Sequence, residues 1–191
     1  GTQGILHATG TLTLAGDLSG LSGTLSNIGT GTTALNTNSF TGNIELRRGT
    51  LNIGTNLSGT APITVGVAAN DADLFASVPV LSIAAAGNGA VISRPIIISN
   101  GATNAAGLSL DRFSYIPQLQ PLSNTTGSQT LNSDITLLTS LNFQGGAGTG
   151  TGSTTFGGNI TGAGAFVFAN GRATFSGSYT NDKGFIINNT G

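Results

Sequence analysis

The side chains able to do chemistry are few and far apart. His7 is the only imidazole, so a serine triad would have to use it. No Gly-x-Ser-x-Gly elbow accompanies it, and an exposed or stacking His is the better reading. Glycoside cleavage needs two carboxyls about 5–10 Å apart. The candidates are Asp17, Glu45, Asp71, Asp73, Asp111, Asp134 and Asp182. They are dispersed, and each fits a solvated loop or strand end. A β-helical lyase needs Asp grouped with Arg or Lys, and Asp111-Arg112 is a tight pair of that kind. Asn70-Asp71-Ala72-Asp73 matches half a calcium loop but lacks the Gly and distal Glu of an EF-hand. Asp71 and Asp73 therefore read first as caps of a turn or short helix over Ala68–Ser77, and only second as metal ligands. No cofactor is expected: the Gly-rich run from Gly145 to Gly150 has neither the spacing nor the Lys of a phosphate loop. Asn56, Asn124, Asn159 and Asn188 head Asn-x-Ser/Thr triplets, which so much Asn, Thr and Ser produces by chance. Phe113 and Tyr115 offer an aromatic contact for a glycan or another partner, or else pack their own loop onto the body.

Composition narrows the classes further. Of 191 residues only 13 are charged, 7% where about 25% is usual. Gly, Thr, Ser and Asn together make up half of the chain. There is no Cys, so disulfides, thiol chemistry and Cys-based zinc sites are excluded. A net charge of −1 with scattered Arg gives no footprint for nucleic acid. No apolar run reaches the 18 residues of a helical membrane span. A Cys-free, weakly charged chain solvated by Thr, Ser and Asn fits an extracellular or bacterial cell-surface location. The start at Gly1 rather than Met reads as a mature or excised piece.

Such a composition forms few helices, because Gly, Thr, Ser and Asn are poor helix formers. Short alternating strands punctuated by Gly fit instead. Period-two alternation turns Ile44, Leu46, Leu51 and Ile53 inward and Glu45, Arg47 and Asn52 outward. Further strands are expected at 63–67, 90–99, 107–111, 135–143, 165–168, 172–176 and 185–188. Gly-Thr-Leu recurs at 10–12, 23–25 and 49–51, and the inward set is small and uniform. Both point to an all-β, right-handed parallel β-solenoid of one domain over 1–191, with about nine or ten coils of roughly 20 residues. One such coil cannot bury enough apolar surface to offset its own ordering, so stacking must stabilise it. Pro117 and Pro121 mark 112–122 as a lateral loop without an interior strand. The stretch from Gly145 to Thr155 reads as a long turn.

Asn38-Ser39-Phe40-Thr41-Gly42, followed by Ile44-x-Leu46-x-x-Gly49-Thr50-Leu51, resembles the autotransporter-associated β-strand repeat. A looser copy runs through Gly162-x-Gly164 and Arg172 to Thr180, and on to Ile186-Ile187-Asn188-Asn189. It departs from the pattern in having Asn181 where Gly follows Thr, and no Gly-Thr-Leu follows it. Gly10 to Gly16 resembles the strand that precedes such a corner. The resemblance implies right-handed β-helical, passenger-like regions of bacterial surface or secreted proteins, and no activity.

An uncapped solenoid leaves strand edges open at both ends. Here Ile5 and Leu6 lie at one end and Phe185, Ile186 and Ile187 at the other. The first expectation is a non-enzymatic structural subunit that stacks end to end into a homopolymer, without membrane insertion. The second is an adhesin-like segment presenting the 112–122 loop to glycans or cell-surface components. The third is a polysaccharide-active enzyme using Asp111 and Arg112.

Overall fold

The computed structural model describes residues 2–5, 9–66, 79–83, 89–99, 118–120, 128–144 and 153–187. The fold is a right-handed parallel β-solenoid, and among the described residues there is no helix. The first sheet stacks β1 (Thr2–Ile5), β3 (Thr24–Asn27), β5 (Asn43–Leu46), β7 (Ile63–Val65), β10 (Ile96–Ile98), β13 (Ile135–Leu137), β16 (Ile160–Gly162) and β19 (Tyr179–Asn181). The second stacks β2 (Thr11–Leu14), β4 (Thr32–Leu35), β6 (Thr50–Ile53), β8 (Val80–Ser82), β11 (Gln118–Gln120), β14 (Leu141–Gln144), β17 (Phe166–Asn170) and β20 (Phe185–Ile187). A third, shorter sheet holds β9 (Val91–Ile92), β12 (Ser128–Leu131), β15 (Ser153–Phe156) and β18 (Ala173–Phe175). A parallel bridge from Leu57 to Ile92 extends it by one rung.

Stacking is residue on residue. The inward column of the first sheet runs Leu25, Ile44, Ile63, Ile96, Ile135, Ile160 and Tyr179. All of these but Tyr179 are buried. The expected inward set of Ile44, Leu46, Leu51 and Ile53 is buried, while Glu45, Arg47 and Asn52 are partly exposed.

Among the described residues, eight strands in each long sheet make eight coils, fewer than expected. The reason is uneven coil length. The step from Ile44 to its stacked neighbour Ile63 takes 19 residues. Ile63 to Ile96 takes 33, and Ile96 to Ile135 takes 39. Coils of this length use more of the chain for each rung.

The corners also depart from expectation. The apolar run 90–99 is two strands of different sheets, split at Ser93-Arg94-Pro95. The run 135–143 is split in the same way at Leu138-Thr139-Ser140. Neither corner contains Gly, so the turn between two inward faces is invisible to a search for Gly punctuation. Conversely, Gln118–Gln120 is a strand inside 112–122 and pairs with β8 and β14. Pro117 and Pro121 flank its three residues and leave their N–H groups available. Ser153 to Thr155, expected in a turn, opens β15.

The Gly-Thr-Leu recurrence has a backbone cause. Gly10, Gly23 and Gly49 have φ of 82°, 104° and 65°, a region that favours Gly. At Gly49 a Cβ would lie 2.4 Å from the Gly31 carbonyl oxygen of the coil below. The tripeptide does not mark one place in the coil, however. It opens second-sheet strands at 10 and 49 and a first-sheet strand at 23.

Candidate functional site: the two ends of the stack

The described carboxylates lie on separate coils. Glu45 accepts from Arg47 Nε at 3.1 Å, and Asp134 Oδ1 accepts from the Asn159 N–H at 2.9 Å. Asp17 accepts from the Ser19 N–H at 2.9 Å. That backbone bond, with help from the Ser19 and Ser39 hydroxyls, holds the Asp17 carboxyl below the usual range. Among the described residues there is no group of three or more His, Cys, Asp or Glu able to hold a metal. No helix among them is long and apolar enough to cross a membrane. Asp71, Asp73, Phe113, Tyr115, Asp111, Arg112, His7 and Leu6 lie outside the described residues. So do the expected strand at 107–111 and the short helix at 68–77.

What the structure does place is the set of chain-end residues. Ile5 closes β1 and pairs with Asn27. Phe185, Ile186 and Ile187 form β20, the last strand of the second sheet, paired with Phe166, Val167 and Phe168. Phe185 is 38% exposed, Ile186 42% and Ile187 70%. At the opposite end Leu12 of β2 is 38% exposed. Leu12 stacks on Thr33, and Thr33 on Leu51. Thr33 and Leu51 are buried, so the exposure of Leu12 comes from its place in the first coil.

The last coils are held by aromatic rings. Phe156 stacks on Phe175 at 4.9 Å with 10° between planes. Phe166 stacks on Phe185 at 5.3 Å and 5°. The two columns interlock edge to face, at 5.4 Å between Phe156 and Phe166, 5.5 Å between Phe166 and Phe175, and 5.1 Å between Phe175 and Phe185. This zigzag suits ring quadrupoles, and each pair contributes about 0.5–1.5 kcal/mol beyond area burial. The spacing of Phe156, Phe166, Phe175 and Phe185, about half a short coil each time, was the available signal in the sequence.

Tyr179 and Asn181 tie the last coil to itself and to the coil before it. The Tyr179 hydroxyl donates to the Gly184 carbonyl at 2.6 Å and accepts from the Phe166 N–H at 3.3 Å. Burial raises the Tyr179 phenol, against the lowering effect of its hydrogen bonds. Asn181 Nδ2 donates to the Gly164 carbonyl and, at 3.1 Å, to that of Gly184. The Gly184 N–H returns a bond to Asn181 Oδ1 at 3.1 Å.

Arg94 was legible only as an interruption of an apolar run, yet it is completely buried. Nε donates to the Ala61 carbonyl at 2.8 Å, Nη1 to that of Phe40 at 3.1 Å and Nη2 to that of Gly42. One side chain thus joins its own corner to corners of two earlier coils. Desolvation lowers the basicity of the guanidinium. Its three main-chain acceptors compensate for the loss of water.

No family model matches the chain, and comparison with curated proteins and with solved structures also found no match. The architecture is that of a parallel β-solenoid, compatible with a passenger-like domain without being specific to one.

Proposed function

We propose that this chain is a non-enzymatic, extracellular structural subunit that stacks end to end into a filament. The observation that carries the reading is the distribution of exposed large apolar side chains. Among the described residues eight are of this kind; four of them, Phe175, Phe185, Ile186 and Ile187, belong to the last rungs of two sheets, and Leu12 belongs to the first coil. Leu12, Phe185, Ile186 and Ile187 lie in ladders of the second sheet, where a further rung would cover them. The exposed strand edges carry unpaired N–H and C=O groups that template a further parallel strand. The contact between unlike ends is heterologous, so it propagates without closing.

The scarcity of charge supports the same reading, since like-charge repulsion between stacked copies is small at a net charge of −1. Sedimentation velocity across a wide concentration range tests it. The reading expects species that lengthen with concentration. A single monomeric boundary at every concentration overturns it.

A further inference from the structure

We propose that the solenoid binds internal water at two places: one molecule bridges Gln129 and Thr154, and a second bridges Asn52 and Ser82. The inference rests on buried polar atoms that make no hydrogen bond. Among the described residues there are five: Asn52 Oδ1, Ser82 Oγ, Gln129 Oε1, Asn142 Oδ1 and Thr154 Oγ1. Four of them fall into two pairs, and the residues of each pair are register partners on neighbouring strands. Gln129 of β12 pairs with Thr154 of β15, and Asn52 of β6 pairs with Ser82 of β8. Asn142 stands outside both pairs.

The Gln129–Thr154 pair is the more enclosed, with Gln129 6% and Thr154 1% exposed. Each lies two residues before a buried core residue, Leu131 or Phe156, so period two turns it to the same inward face. The rest of the column is alanine. Ala173 follows Thr154, and the buried Ala90, whose carbonyl accepts from the Thr130 N–H, precedes Gln129. Beside it runs a column of Ile92, Leu131, Phe156 and Phe175. Methyl groups above and below the polar pair leave room that larger side chains would take. Leaving a buried donor or acceptor unpaired is costly, so native proteins satisfy nearly all of them, with ordered water where the chain supplies no partner. A polar site with room and two to four partners is what a buried water requires.

The donor and acceptor inventory selects the ligand. An amide oxygen accepts only, whereas a hydroxyl both donates and accepts. A water that accepts from the Thr154 hydroxyl keeps two protons. One goes to Gln129 Oε1, and the other to the second lone pair of a ladder carbonyl. Asn52 Oδ1 and Ser82 Oγ repeat the combination of amide oxygen and hydroxyl one rung apart, and Ser82 is 1% exposed. Two neutral oxygens are too few for a calcium ion, which takes six or more. Each water thereby ties successive coils through their side chains, β12 to β15 and β6 to β8, beside the ladder that already joins their backbones.

A high-resolution crystal structure of the chain tests both sites directly. It is expected to show one ordered water within hydrogen-bond distance of Gln129 Oε1 and Thr154 Oγ1, and another between Asn52 Oδ1 and Ser82 Oγ. A direct bond between the two side chains of a pair, or no water between them, overturns that site. Thr154→Val gives a readout in solution, because the two side chains have nearly the same shape. If the hydroxyl holds a water, the variant strands Gln129 Oε1 and the midpoint of chemical denaturation falls. If the hydroxyl has no partner, removing it relieves a cost, and a raised or unchanged midpoint overturns the bridge. Adding Gln129→Met to Thr154→Val is expected to recover part of the loss, since the stranded amide oxygen goes too. Strictly additive losses would show that the two side chains share no ligand. Ser82→Ala is expected to lower the midpoint in the same way, and a raised or unchanged value overturns the second site.

Discussion

The two halves of the solenoid solve the same stacking problem with different chemistry. Up to β10 the core is aliphatic, with Phe40 as its one buried ring among the described residues. Its coils are joined by polar side chains turned inward. Arg94 bonds three main-chain carbonyls. Asn27 donates to the Arg48 carbonyl at 3.0 Å and accepts from the Thr33 hydroxyl at 3.3 Å. From β14 onward the core is aromatic, and ring stacks replace the polar staple. The staple is saturated, because its three carbonyls are satisfied within the chain. The aromatic stack has no such limit, because each ring added leaves a new face for the next. A device of the first kind fixes a finite set of coils, and one of the second kind invites continuation.

That contrast can be broken at Arg94. Arg94→Ala strands three carbonyls and leaves a cavity, with an expected cost of roughly 3–6 kcal/mol in chemical denaturation. In a quasi-one-dimensional stack the damage stays close to its source. Hydrogen exchange is therefore expected to rise in β5, β7 and β10 and to stay protected in β15 to β18. Uniform loss of protection would show that the halves form one cooperative unit.

Phe166→Ala probes the other half. Phe166 is fully buried, and its loss should cost roughly 3–5 kcal/mol. Here exchange is expected to rise in β14, β17 and β20, with β3 to β7 unaffected. Under the proposed assembly, this variant also shortens filaments, because Phe185 loses the ring beneath it. A stability loss with filament length unchanged would separate the aromatic column from end stacking.

The smallest effect concerns pH at the last coil. The phenol of Tyr179 is raised above its ordinary value, chiefly by burial. A raised acid in the folded state contributes stability that is present below the ordinary tyrosine range and is lost as pH climbs through the raised value. Alkaline titration should therefore loosen β19 and β20 first, followed by exchange or by ring absorbance. Tyr179→Phe should remove that step while leaving the Asn181 bonds to Gly164 and Gly184 in place. An alkaline step retained in the variant would assign it elsewhere.

Much of the fold was legible because period-two alternation survives wherever a strand has one solvated face. Ile44-Glu45-Leu46 and Leu51-Asn52-Ile53 show this most plainly. The corners were harder to read. Across 90–99 and 135–143 apolar residues continue through the bend, because both flanking strands turn an inward face to the same core. The three-residue strand between Pro117 and Pro121 was hidden by a rule that applies to longer strands. At the site, the apolar strand at 185–187 was visible as a run, but its exposure depends on being the last rung, which local pattern does not encode. Arg94 was illegible for a related reason: its partners are the carbonyls of Phe40, Gly42 and Ala61, and a carbonyl leaves no mark on residue type.

The central claim, that the ends of this solenoid accept one another, is tested most directly by electron microscopy of the purified chain under native conditions. The account predicts unbranched rods of one width whose length varies, with a subunit repeat of about 38 Å for eight coils at roughly 4.8 Å each. Uniform, compact single particles at every concentration would contradict it.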